Sequence, residues 1–236
     1  MRLLPSILLS LSLVACSTAT GPTTDQATAN PVPSEADQKS GVPGSPASGS
    51  DRDRWQKPEE LITLMGGNLT GVTVADLFAE DGYFTFKMIA AGANVIAIVN
   101  DAGQAEQLNA RKKELGLGDD RLKVRAVAVG DPGLAAEEAD MALIVHHFTL
   151  LQDRKAFFKR MRQGLRYPRV LFMVEWQYKE GPPGPPMAQR LPVEKVMDLI
   201  GEMEYADVGA HSAKIPDQVI YAINDYFDYG MEPRDQ

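Results

Sequence analysis

Apolar and polar positions divide the chain into three regimes. Residues 3–14 form a continuous apolar run behind Arg2. Residues 17–53 hold only Val32 and Val42 as sizeable apolar side chains. From residue 54 onward, apolar positions gather into short blocks separated by polar stretches of helical period. In this third regime Pro58 opens a helix with Leu61, Ile62, Leu64 and Met65 on its apolar side, and Gly66-Gly67 stops it. Strands are then predicted over 72–78, 94–99, 123–129, 141–146, 169–176, 205–211 and 218–223. Helices are predicted after the first strand up to Gly92, after the second to about residue 115, over 153–165 and over 193–203.

Uninterrupted runs such as Val95-Ile96-Ala97-Ile98-Val99 and Leu171-Phe172-Met173-Val174 suit strands covered on both faces, hence a mostly parallel sheet with helices on each side. The last two strands are joined by a short connection containing Pro216. A parallel crossover needs a dozen residues or more, so these two must pair antiparallel. The expected fold is α/β: a Rossmann-like, doubly wound, mostly parallel seven-stranded sheet with a C-terminal antiparallel hairpin.

The first two regimes change the picture of where this domain sits. The apolar run is too short to span a bilayer and ends in Leu13-Val14-Ala15-Cys16, with the charged start, apolar middle and small-residue exit of an export signal. That ending resembles the lipobox of bacterial lipoproteins. The resemblance implies a signal peptide over 1–15, a lipidated Cys16 as first mature residue, and anchoring to the lipid bilayer of a bacterial cell envelope. Ser17 in the next position points to the outer membrane, facing the periplasm. Ser, Thr, Ala, Pro and Gly fill 25 of the 37 positions from 17 to 53, a composition that cannot offset the entropy of ordering. Residues 16–53 are therefore read as lipid-bearing Cys and linker, spanning about 35 Å as a coil, and 54–236 as one folded domain.

Cys16 is the only cysteine, so the domain has neither a disulfide nor a thiol nucleophile. The net charge is −8 with acids scattered along the chain, and no basic stripe is expected, which argues against nucleic acid as a partner.

Several blocks carry a more specific resemblance: Asp53-Arg54-Trp55-Gln56-Lys57-Pro58 before the first strand, Val74-Ala75-Asp76-Leu77 with Asp81-Gly82-Tyr83-Phe84 after it, Val129-Gly130-Asp131-Pro132-Gly133-Leu134 after the third strand, Leu151-Gln152-Asp153-Arg154 before the helix at 153–165, and the segment from Gly181 to Val196. In this order they are similar to one group of class I S-adenosylmethionine-dependent methyltransferases. The resemblance implies S-adenosylmethionine as cofactor, with Asp76, Gly82 and Asp131 as cofactor-binding positions. His146 falls at the carboxyl end of the fourth strand, where such folds bind ligands and where related sequences tend to have an acidic residue; as a catalytic candidate it would act as a base near the methyl acceptor. The Pro-rich segment 181–186 corresponds to a loop beside the acceptor pocket; Trp55 and Trp176 read as packing residues, with lining of the pocket as the other reading of Trp176.

The chain also departs from that pattern at two places that concern the cofactor. The family's opening loop reads V-x-D-x-G-x-G-x-G, and here Phe78 and Glu80 stand at the first two glycine positions, leaving Gly82. The second strand places Val99 where the family has an acid for the ribose, with Asn100 and Asp101 as substitutes only if the strand end shifts. Asp76, Asp81 and Asp131 also have structural readings, as a loop hydrogen-bonding group, a helix cap and a turn former. His146 and His147 read equally as hydrogen-bonded strand-end residues. His211 is the one other histidine, so no metal site is expected. Two functions follow: methyl transfer to an unknown small acceptor, or a fold stripped of its chemistry that binds a small molecule or an envelope protein.

Overall fold

The computed structural model describes residues 49–226 apart from Pro182. The signal peptide expected at 1–15, the expected lipidation at Cys16, and the stretch expected as linker up to residue 48 lie outside the described residues. Of the stretch expected as linker, residues 49–53 instead belong to helix α1 (Gly49–Gln56). Its Arg52 binds Asp81, and its Asp53 accepts hydrogen bonds from the Tyr83 hydroxyl and from Lys87. Composition concealed this, since polar side chains anchor the helix.

Helix α2 (Pro58–Leu64) leads into β1 (Thr73–Leu77), α3 (Tyr83–Ala90), β2 (Asn94–Val99), α4 (Ala102–Glu114), β3 (Leu122–Ala126), β4 (Ala139–Val145), α5 (Arg154–Gly164), β5 (Leu165–Trp176), α6 (Val193–Gly201), β6 (Asp207–His211) and β7 (Gln218–Asn224). The strands form one sheet in the order β3-β2-β1-β4-β5-β7-β6. The first five run parallel, while β7 runs antiparallel to both β5 and β6. The expected doubly wound sheet with a C-terminal antiparallel hairpin is the observed one, β7 being the one reversed strand.

Both faces of the sheet are covered, and the two-residue period of each strand splits its side chains between two cores. On one face lie Ile96, Ile98, Ile144, Leu171, Met173 and Tyr221, packed by Phe157 and Phe158 of α5 and Ile200 of α6. On the other lie Val95, Val99, Leu143, Phe172, Val174 and Ile220, packed by Met88 of α3 and Leu108 of α4. Two strands differ from expectation by three residues or more, the others by two or fewer. β3 stops at Ala126 rather than 129: Val127 N still bonds Val99 O, but the chain then turns through Gly130 and leaves Val129 82% exposed. β5 starts at Leu165 because Leu165 pairs with Ala139 ahead of a register shift.

The order reverses about β1, whose neighbours are β2 and β4. The carboxyl ends of β1 and β4 therefore diverge into helices on opposite faces, leaving the crevice in which such sheets hold ligands.

Candidate functional site

Asp76 sits one residue from the end of β1 and is buried, with its carboxylate accepting a hydrogen bond from the Thr85 hydroxyl. Burial raises its pKa to about 7, and the nearby Glu80 and Asp81 push the same way. Past β1 the backbone takes left-handed conformations at Phe78, Glu80 and Gly82, with φ of 62°, 49° and 78°. All three glycine positions of the family's loop thus keep a glycine-type backbone, although two carry side chains. Such conformations cost about 1–2 kcal/mol in a non-glycine residue. The loop is held by Ala79 N on Ile98 O at 2.9 Å and Gly82 N on Ala79 O at 2.7 Å. Only Gly82 fits sterically as well, since a Cβ there would lie 2.4 Å from Leu108 Cδ2. Asp81 accepts from Tyr83 N at the start of α3, but the N-cap itself is Gly82, one residue after the cap read from the sequence.

The side chains added at 78 and 80 meet the end of β4. Phe78 stacks on His147, with ring centroids 4.5 Å apart and planes within 1°, and on Phe157 at 5.6 Å. His147 Nδ1–H donates to Val145 O at 2.8 Å, and its Nε2 lies 3.5 Å from Glu80 Oε1. Phe78, His147 and Glu80 therefore bridge the crevice between β1 and β4. From the other side, Arg52 of α1 lies over the Tyr83 ring at 4.0 Å and pairs with Asp81 at 2.8 Å, its Nε buried without an acceptor. What remains is a cavity of about 140 Å³ lined by Arg52, Asp76, Phe78, Glu80, His146 and His147 among others.

His146 faces the other way for its hydrogen bond. Its ring stacks on Trp176 at 4.1 Å, and Nε2 lies 3.0 Å from Gln218 Oε1, which also accepts from Gln56 Nε2. Nε2 is therefore the protonated nitrogen. Burial forces the pKa of His146 down to about 3, so it is neutral at pH 7 and a weak base. Trp176 is in turn stacked with Trp55 of α1 at 5.6 Å. Next to it, Glu175 is buried, accepts from Phe148 N at 2.8 Å, and has its pKa raised to about 7 by burial.

The regions for ribose and adenine show the same change of use. β2 ends at Val99 without a shift, and that side chain is buried in the core. Asn100 donates to the carbonyls of Val127 and Ala128, while Asp101 caps α4 by accepting from Gln104 N. Asp131 is exposed, accepts from Gly133 N in a turn, and does not line the cavity. Of the sequence-derived positions, Asp76 and His146 share the cavity, Gly82 shapes its loop, and Asp131 stands apart. Arg52 escaped the sequence reading because it falls in what reads as linker. The Glu80–His147 contact could be found only by placing two strand ends side by side.

These residues do not fit S-adenosylmethionine. Small-molecule pockets typically enclose about 300–1,000 Å³, and the cavity of about 140 Å³ falls below that range. Phe78, packed against the core through Phe157, and Glu80 add side chains to the cavity lining where the family's loop has glycines, and Val99 offers the ribose no acceptor.

No protein-family model matches the sequence, and no curated protein matches it. Solved structures do match the fold. A SAM-dependent methyltransferase from Aquifex aeolicus superposes with a TM-score of 0.67 at 17% identity, over 75% of this chain and 93% of that one. Geranyl diphosphate C-methyltransferase from Streptomyces coelicolor A3(2), bound to Mg²⁺, geranyl diphosphate and S-adenosyl-L-homocysteine, gives 0.58 at 13%, over 72% and 79%. The [4+2]-cyclase SpnF gives 0.57 at 13%, over 70% and 80%. The chain has the fold of SAM-dependent methyltransferases, a fold also shared by a cyclase.

Proposed function

We propose that this chain uses a methyltransferase fold as a binding or scaffolding module and does not transfer methyl groups. The observation that carries the reading is the Phe78–His147–Glu80 bridge across the crevice between β1 and β4. Two like charges about 4 Å apart repel by roughly 4 kcal/mol at an effective dielectric of 20, the upper limit of what Glu80 costs a ligand carboxylate. Unpaired ribose hydroxyls at Val99 would cost about 1–3 kcal/mol each.

Calorimetric titration of the protein with S-adenosylmethionine and with S-adenosylhomocysteine is expected to give dissociation constants no tighter than about millimolar. Because the backbone at 78 and 80 keeps glycine geometry, the double substitution Phe78→Gly and Glu80→Gly is expected to tighten binding by tenfold or more, to about 100 μM or below. Micromolar binding by the parent protein would overturn the reading. A specific observation favours the alternative of methyl transfer to a small acceptor: Asp76, Gly82 and the left-handed trace of the whole loop are retained. That titration separates the two.

The lipobox resemblance supports placing this module in the bacterial envelope, tethered to the bilayer through Cys16 and outside the compartment that makes the cofactor. Metabolic labelling with palmitate is expected to mark the chain and to fail in Cys16→Ala; an unlabelled parent protein removes the envelope assignment.

A further inference from the structure

A second, larger cavity of about 480 Å³ lies at the opposite end of the sheet, between α5, the start of β5 and the turn from α6 to β6. Its volume falls within the range of about 300–1,000 Å³ usual for small-molecule sites. Lys155, Lys159 and Arg162, spaced on one face of α5, line it with Arg169 of β5, and Glu202 and Glu204 stand on the other side. These cations belong to a basic segment that the overall acidity hides: seven Lys and Arg fall between 154 and 169, with no acid among them. The expectation of no basic stripe fails here.

The pairing around the cavity is incomplete. Lys155 meets Glu202 at 3.0 Å, and Arg162 and Arg169 both converge on the same oxygen of Asp225, at 2.7 and 3.2 Å. Lys159 has no carboxylate partner among the described residues. Arg162 Nε is buried without an acceptor, and near it the Tyr205 hydroxyl and Asp225 Oδ1 also lack partners. Arg169 and Glu204 both hold left-handed backbone, with φ of 55° and 62°. Four cations thus face three carboxylates, with free N–H groups on Lys159 and Arg169 arriving from different elements.

We propose that this cavity binds the phosphate group of a small phosphomonoester or of a lipid headgroup. A phosphate offers enough oxygens to satisfy donors from a lysine and an arginine that do not share a plane, which a two-oxygen carboxylate does not. Glu202 and Glu204 repel a long polyanion and accept from a hydroxyl or ammonium group on the same ligand.

The test is calorimetric titration of the full chain with inorganic phosphate, with citrate at equal ionic strength as the carboxylate control, and flotation with phosphatidylglycerol against phosphatidylcholine vesicles. The result expected is saturable phosphate binding in the low-millimolar range or tighter, weakened about tenfold by Lys159→Gln and not reproduced by citrate. Lysine 159 is exposed, so the variant is expected to melt like its parent. Vesicle binding that depends on Lys159, in place of phosphate binding, assigns the group to a headgroup. Absence of both kinds of binding, binding indifferent to Lys159→Gln, or citrate binding as tightly as phosphate overturns the proposal.

Discussion

Replacing Asp76 by asparagine is expected to make the protein more stable at pH 8, by up to about 4 kcal/mol. The buried carboxyl titrates near 7 in the folded chain against 3.8 in the unfolded one. Between those values the folded state holds a proton that the unfolded state has released, so stability falls as pH rises through the window. The penalty is complete above pH 7 and absent below about 4. Asparagine cannot ionise, yet its side-chain oxygen still accepts from the Thr85 hydroxyl. Urea denaturation of the two proteins should therefore agree at pH 4 and diverge by several kcal/mol at pH 8. Glu175 adds a slope of the same sign, with its pKa raised to about 7. His146 adds one of opposite sign: its folded pKa of about 3 lies below the unfolded 6.5, so its contribution is lost as pH falls from 6.5 toward 3. Both are common to parent and variant and cancel in the comparison. A variant no more stable than its parent at pH 8 would show that Asp76 is held charged by its surroundings.

The second large effect is expected at Arg190. The residue is 5% exposed, and its guanidinium spends its donors on the carbonyls of one loop: Pro185 from Nε, Gln177 and Lys179 from Nη1, Gly181 and Pro183 from Nη2. No carboxylate lies within ion-pair distance among the described residues, so backbone dipoles, with the Trp176 ring 5.7 Å away, compensate the charge. The loop also rests on Trp176, where a Cβ on Gly184 would come within 2.6 Å of Cδ2. Arg190→Ala leaves these carbonyls without donors and is expected to cost about 3–5 kcal/mol. Hydrogen exchange across 177–190 should rise with it, and Arg190→Lys should recover only part of the loss, since an ammonium has three donors and no planar fork. Unchanged exchange in Arg190→Ala would mean that the prolines hold the loop unaided.

The Pro-rich segment at 181–186 invites a reading from its prolines, yet its shape is organised by an arginine that follows it. Local pattern exposed what depends on local pattern. The run from Val95 to Val99 gave β2 to the residue, and the short link before Gln218 gave the antiparallel pair. The site was less legible because it is made of contacts between distant segments. Phe78 announces a missing glycine, but its stack on His147 depends on where β4 ends, and Glu80 meets His147 for the same reason. Asp101 and Asp131 are acids in suggestive places whose carboxylates are taken by nearby backbone amides. The residue most easily missed was Arg52. It belongs to a stretch whose composition reads as linker, and it docks by charge.

That docking has a mechanical consequence. Helix α1 fastens to the carboxyl-end rim of the sheet through Arg52 on Asp81, Asp53 on Lys87, Trp55 on Trp176 and Gln56 on Gln218. A load applied to the backbone ahead of Gly49 reaches these four fastenings before it reaches any strand. Traction from that side would peel the helix away and bare the floor of the crevice while the sheet behind it stayed whole.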